Sequence, residues 1–195
     1  VASVMVPTAA DLDRVLAGSP YVAYCYAYPH KTAYRTLPEP IPLEEVWQSE
    51  PQDSLFLYLH VPFCEYRCGF CNLFTLSQPE DSLPRKYLAA LKREAMVNRH
   101  ALHEPKFARL AIGGGTPTFF SVDELAELFD LAAGVMGAEP QKIPVSCEAS
   151  PATLDHEKLC LLRERGVDRL SLGVQSFDRQ DLQSLGRPQH VDEVR

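Results

Sequence analysis

The 195-residue sequence is poor in several features, and each shortage removes a class of protein. It holds no stretch approaching the roughly 18 consecutive apolar residues of a membrane span. Its opening, VASVMVPTAADLDRVLAG, lacks the basic region and apolar core of an export signal. It has no basic run: 19 Lys and Arg stand against 26 Asp and Glu, a net charge of −7 that excludes a general binder of nucleic-acid backbone. No glycine-rich segment ends in Lys-Ser/Thr, so there is no phosphate loop, and none continues as the G-x-G-x-x-G of a dinucleotide site. There is no second C-x-x-C pair to complete an ordinary structural zinc site. Without an export signal, the six cysteines read as reduced thiols of a cytoplasmic protein and not as a disulfide framework. An initiating Met is also lacking, and the last segment, SLGRPQHVDEVR, starts a helix near Pro188 with no C-cap after it. The expectation is the front portion of a longer protein.

What remains is globular in composition, with 46% hydrophobic and 23% charged residues. Residues 1–53 are rich in Pro and Tyr without a clean period, and Pro29, Pro38, Pro40 and Pro42 favour an extended, irregular arm. Its tyrosines at 21, 24, 26, 28 and 34 read as packing residues, and His30, Lys31 and Arg35 as either a solvated basic turn or contacts to an anion. From residue 54 a rhythm begins. LFLYLHV (55–61) is an apolar run suited to a buried strand, and Leu88, Leu91 and Ala95 recur at helical spacing behind Pro84. ARLAIGGG is a second strand, and Ser121 with Glu124 forms a capping-box pair ahead of Leu125, Leu128, Phe129 and Ala132. IPVSCEA (143–149) is a third strand, HEKLCLLRERG a helix ended by Gly166, and DRLSLGVQS a fourth strand. Strand–helix alternation implies an α/β fold, a parallel sheet wrapped by outer helices, with strands apolar enough to be buried on both faces. The unusual residues then share one rim: the cysteine loop follows strand one, GGGTP ends strand two, Glu148 ends strand three and Gln175 ends strand four.

In CEYRCGFC, Cys64, Cys68 and Cys71 stand four and three positions apart and can converge on one small centre. A [4Fe–4S] cluster held by three cysteines keeps one iron open to another ligand. A zinc loop is the alternative, and Cys25 stays open as a fourth ligand. Cys147 precedes Glu148 and points to the opposite face, and Cys160 reads as a buried thiol on an apolar helix face. Taken alone, GGGTP is no more than a tight turn, although such a strand end lets backbone approach a ligand closely.

Together, YLHVPFCEYRCGFC, GGGTPT, EASPATL and DRLSLGVQSFDRQDLQSLGRPQH resemble the radical S-adenosylmethionine (SAM) superfamily, and within it the oxygen-independent coproporphyrinogen III oxidase family and its relatives. The resemblance spans about residues 55–190. It implies a partial (β/α)6 barrel, of which residues 54–195 supply about the first four β/α units, preceded by the arm of residues 1–53. It implies a [4Fe–4S] cluster on Cys64, Cys68 and Cys71, with SAM on the open iron and reductive cleavage to a 5′-deoxyadenosyl radical. By position, Gly114, Gly115 and Thr116 would line the SAM pocket, Glu148 would contact SAM, and Tyr58 would lie near the cluster. Phe70 would pack on adenine or a second SAM, and Gln175 and Arg187 would hold a second SAM. For Gln175 and Arg187 the alternative is a satisfied polar group near a turn, and for Tyr58 a core position. The resemblance identifies no catalytic side chain. The implied partners are a small anionic substrate such as a tetrapyrrole and an electron donor of the flavodoxin or ferredoxin type. One departure stands out: where the oxidases carry a further cysteine two residues past the third cluster cysteine, this chain has Leu73. That places it nearer the branches that include haem chaperones and haem-degrading methyltransferases.

Overall fold

The structure is a computed structural model that describes residues 35–36, 38–71, 73–189 and 191–194. Cys25, His30, Lys31 and the five arm tyrosines lie outside the described residues, while Arg35 is described and exposed. The chain divides into two units, Val1–Pro40 and Ile41–Arg195, and the second holds everything that follows. A short helix within the sequence's arm, α1 (Leu43–Gln48), falls in this second unit.

Four strands form one parallel sheet in the order β1 (Leu55–Val61), β4 (Phe107–Gly114), β5 (Val145–Ala149), β6 (Arg169–Leu172). Neighbours in space follow chain order, and each register is direct: Leu59 pairs Ile112, Ile112 pairs Cys147, and Cys147 pairs Leu170. The crossovers are helical. Between β1 and β4 runs α2 (Leu83–Ala101), with Pro84 in its first turn as expected. Between β4 and β5 runs α3 (Val122–Asp130), started by the anticipated capping box: Glu124 N–H donates to Ser121 Oγ at 3.3 Å, and Ser121 N–H to Glu124 Oε2 at 3.0 Å. It widens into π-type turns over Leu131–Met136 and closes at Gly137. Between β5 and β6 runs α4 (His156–Glu164), with Asp155 capping its start. A further helix, α5 (Arg179–Ser184), was not foreseen in the sequence; Asp178 caps it by accepting from the N–H groups of Gln180 and Asp181.

One face of the sheet carries the core. Leu59, Val61, Leu110, Ile112, Val145 and Cys147 meet Leu88, Ala95, Leu125, Leu128 and Phe129 from the helices. Each fully buried large side chain contributes about 1.5–3 kcal/mol. The other face is open among the described residues: Phe56 is 59% exposed and Tyr58 48%, with Arg109, Glu148 and Arg169 beside them. The expected burial of both faces is therefore not met, because α2, α3 and α4 pack on one side only. On β6 even the apolar Leu170 and Leu172 remain partly exposed. Cys160 also departs from expectation. It is exposed on α4, where Leu162 instead takes the core position, and its Sγ lies 3.5 Å from His156 Nε2. No helix among the described residues is long and apolar enough to cross a membrane.

Candidate functional site

Because all four strands run the same way, their carboxyl ends form one rim, and a cavity of about 260 Å³ opens there. Cys64, Cys68, Cys71 and Phe70 line one wall, Gly114, Gly115, Thr116 and Glu148 another, and Gln175 and Arg187 a third. Ten of the eleven residues singled out in the sequence thus face one space, Tyr58 being the exception.

The cysteine wall leaves the sheet through β2 (Phe63–Cys64), which pairs in parallel with β3 (Leu76–Ser77). Leu76 N–H donates to Pro62 O at 2.7 Å and Gln78 N–H to Cys64 O at 3.2 Å, so the loop is closed at its base. Within it, Cys71 N–H donates to Cys68 O at 3.0 Å, and Cys71 Sγ stands 3.8 Å from Thr75 Oγ1. Among the described residues, no three His, Cys, Asp or Glu side chains stand close enough to hold a single metal ion. Zinc–sulfur bonds of about 2.3 Å would draw the sulfurs to within about 4 Å of one another. Three thiols on one cavity wall could hold a polynuclear cluster. Burial pushes the Cys64 thiol above its usual pKa; the Thr116 hydroxyl, which donates to its sulfur at 3.7 Å, and the Arg187 charge pull it down, while Cys71 and Cys68 push it up. A cationic centre at this position would release that proton.

The glycine wall is set by close approach. Gly114 has φ +116°, a value other residues seldom adopt, and its N–H donates to Glu148 Oε2 at 3.0 Å. A Cβ on Gly115 would lie 2.6 Å from Phe63 O and 2.8 Å from Cys64 Sγ. Gly115 N–H donates to Val61 O and Thr116 N–H to Phe63 O, both at 2.7 Å. The loop is then latched from behind. Thr118 and Thr153 hydroxyls stand 2.6 Å apart, and Lys158 Nζ donates to Thr118 O at 2.8 Å and Thr153 O at 2.9 Å. That joins the short turns Pro117–Phe119 and Pro151–Thr153 across two crossovers.

On the third wall, Gln175 has φ +69°, backbone strain at a site position of a kind that is usually held for function. Arg187 is buried and donates to Cys68 Sγ at 3.2 Å. Tyr58 is on the open sheet face below the rim, 3.2 Å from His60 Nδ1, and His60 lies under Gly114 and reaches Phe74 O at 3.1 Å. Sequence reasoning missed Tyr66, Ser150 and Gly173 in this cavity. Tyr66 lies inside the cysteine spacing and was legible there; Ser150 and Gly173 had no signal beyond their place just past a strand.

Residues 58–195 match the model of the radical SAM superfamily, and the chain belongs to that superfamily. Its members hold a [4Fe–4S] cluster and SAM. Within it the chain is similar to the heme chaperone HemW of Bacillus subtilis (39% identical over 133 residues, 67% of this chain and 34% of that protein). It is equally similar to the oxygen-independent coproporphyrinogen III oxidase of Cereibacter sphaeroides (39% over 142 residues, 71% of this chain and 31% of that protein). Among solved structures it resembles the coproporphyrinogen III oxidase HemN of Escherichia coli, a radical SAM enzyme, with a TM-score of 0.68 at 26% identity, covering 78% of this chain and 35% of that one. The family expected from the motifs is the one found, with oxidase and chaperone relatives equally similar. The chain spans about a third of the length of these relatives.

Proposed function

We propose that Cys64, Cys68 and Cys71 hold a [4Fe–4S] cluster and that the cavity beside them binds SAM, as the radical-generating core of an enzyme like oxygen-independent coproporphyrinogen III oxidase. One observation carries this reading: the three thiols, the glycine-rich end of β4 and Glu148 surround one cavity at the carboxyl rim of a parallel sheet. Bound together, cluster and SAM supply a 5′-deoxyadenosyl radical that abstracts hydrogen from substrate. The chain's residues bind and orient. The backbone at Gly114 and Gly115 approaches without side chains in the way; with the N–H groups of Gly114, Gly115 and Thr116 already bonded within the protein, it offers glycine carbonyl oxygens to an ammonium donor. Glu148, fixed by Gly114 N–H, presents its remaining oxygen to hydroxyl or ammonium donors. Phe70, half exposed at the mouth, gives an apolar surface for a purine. Gln175 and Arg187 on the third wall suit a further carboxylate, which would fit one SAM or a second. The substrate would be an anionic tetrapyrrole and the reductant a flavodoxin- or ferredoxin-type protein, in the cytoplasm.

The test is anaerobic reconstitution of the full-length protein with iron and sulfide, reduction, and addition of SAM. Release of 5′-deoxyadenosine, increased by a porphyrinogen, is expected. A colourless protein without inorganic sulfide would end the proposal. Leu73 supports a second reading, a haem chaperone of the same family, because it lines the cavity where a fourth thiol would stand in the oxidases. Stable haem binding with no deoxyadenosine release would select that reading.

A further inference from the structure

Arg187 is 8% exposed, and none of its partners is a carboxylate. Its Nε–H donates to Gln189 Oε1 at 2.9 Å, an Nη2–H to the Gly173 carbonyl, and an Nη1–H to Cys68 Sγ at 3.2 Å. Its guanidinium lies 5.5 Å from the centre of the Tyr66 ring. Glu65 and Glu148 line the same cavity, yet Arg187 enters no ion pair with either among the described residues. A guanidinium withdrawn from water is strongly unfavourable unless an anion is held beside it. Of the groups it donates to, the Cys68 sulfur is the one that becomes an anion on binding metal.

The backbone fixes this approach. Gly69, next to Cys68, donates its N–H to Leu185 O at 2.8 Å, and Arg187 N–H donates to Leu182 O at 2.8 Å. A Cβ on Gly69 would lie 3.1 Å from that same Leu185 oxygen. The turn after α5 is therefore docked on the cysteine loop beside the sulfur that Arg187 reaches.

We propose that Arg187 is the counter-charge of the iron–sulfur centre, favouring its reduced state and so raising its reduction potential in the absence of SAM. This rests on the cluster assignment above and adds a role separate from any contact Arg187 makes with SAM. In the titration the centre gains one electron from the added reductant, and the guanidinium, ionised throughout, keeps its protons. A desolvated donor on a ligand sulfur stabilises the added negative charge.

Redox titration of the reconstituted full-length protein without SAM, followed by the electron paramagnetic resonance of the reduced cluster, tests this. Arg187→Met is expected to weaken the reduced state at least tenfold, a potential lower by about 59 mV for one electron. Gln189→Glu keeps the guanidinium in place and neutralises it with an isosteric carboxylate, so a shift of the same sign is expected. Arg187→Lys, which keeps the charge and loses the planar fork, should shift less than Arg187→Met. If Arg187→Met fails to hold the cluster, Gln189→Glu decides. Unchanged potentials in variants with full iron and sulfide, even with weakened SAM binding, would overturn the proposal. A wild-type protein that takes up no cluster would sink the functional reading instead.

Discussion

The two loops that frame the cavity are built in opposite ways. The loop after β4 is fastened on every side: Pro117, Thr118 and Phe120 are fully buried, two backbone bonds tie it to the β1–β2 junction, and Lys158 latches it to the loop after β5. The cysteine loop is fastened at its base, at Gly69, at Phe74 O by His60 and at Cys68 by Arg187, and its apolar Phe70, Leu73 and Phe74 stay half or more exposed, Phe74 at 88%. A wall that must present backbone to a ligand is shaped by the protein beforehand. A wall that must receive a cluster has few internal contacts and gains its cross-links from the metal centre.

The largest expected effects separate the two walls. Cys68→Ala should abolish cluster binding while leaving far-UV circular dichroism and the unfolding midpoint of the metal-free protein nearly unchanged, because the loop contributes little to the core. Full iron retention would show the ligand assignment to be wrong. Gly115→Ala should damage both, since its Cβ would press on the Phe63 carbonyl and the Cys64 sulfur. A loss of about 3 kcal/mol, the upper part of the overpacking range, should appear in denaturant unfolding of the metal-free protein, together with reduced iron content. An unfolding curve like the wild type would mean the glycine wall is not preformed.

The same contrast explains what the sequence made legible. Elements defined by local chemistry were readable: β1 from its apolar run, α2 from Pro84 and its spacing, and α3 from the Ser121–Glu124 box. So was the shared rim, because strand–helix alternation forces strand ends to one side. The open sheet face was not readable, since Phe56 and Tyr58 are as apolar as residues that are covered, and coverage depends on elements distant in sequence. Cys160 was misplaced because α4 carries Leu159, Leu161 and Leu162 on adjoining positions, and composition alone does not say which of these faces the sheet. The contact of Arg187 with Cys68 joins residues 119 positions apart, and no local pattern announces it.

Lys158→Met should have an intermediate effect. It leaves the carbonyls of Thr118 and Thr153 without their charged donor in a site where the lysine side chain is 13% exposed. The neighbouring Asp155 is 4.0 Å away and mostly solvated, so the loss falls on the carbonyls. About 2 kcal/mol of stability should be lost. SAM affinity in the reconstituted protein should fall, with iron content kept. Faster amide exchange confined to the two turns, Pro117–Phe119 and Pro151–Thr153, would locate the loss at the latch, whereas equal exchange everywhere would show that the loop needs no such fastening.

The smallest effect lies beneath the rim, at Tyr87, whose hydroxyl donates to His60 O at 2.5 Å from α2. Burial, then the Glu94 and Tyr58 charges, pushes its pKa up to about 12 from 10.0. A pKa raised on folding means the neutral form is the one the fold favours. Its contribution is whole below pH 10 and is lost as pH climbs toward 12. Cys147, raised to about 12 from 9.0 by burial and then Glu148, acts in the same direction from a lower starting pH. Tyr87→Phe should cost about 1 kcal/mol at neutral pH, the worth of one hydrogen bond. It should also remove part of the alkaline loss: between pH 10 and 12 the variant's unfolding midpoint should fall less steeply than that of the wild type, with the Cys147 share left in both. Parallel curves would show that the hydroxyl bond to His60 does not couple the helix layer to the strand that supports the cysteine loop.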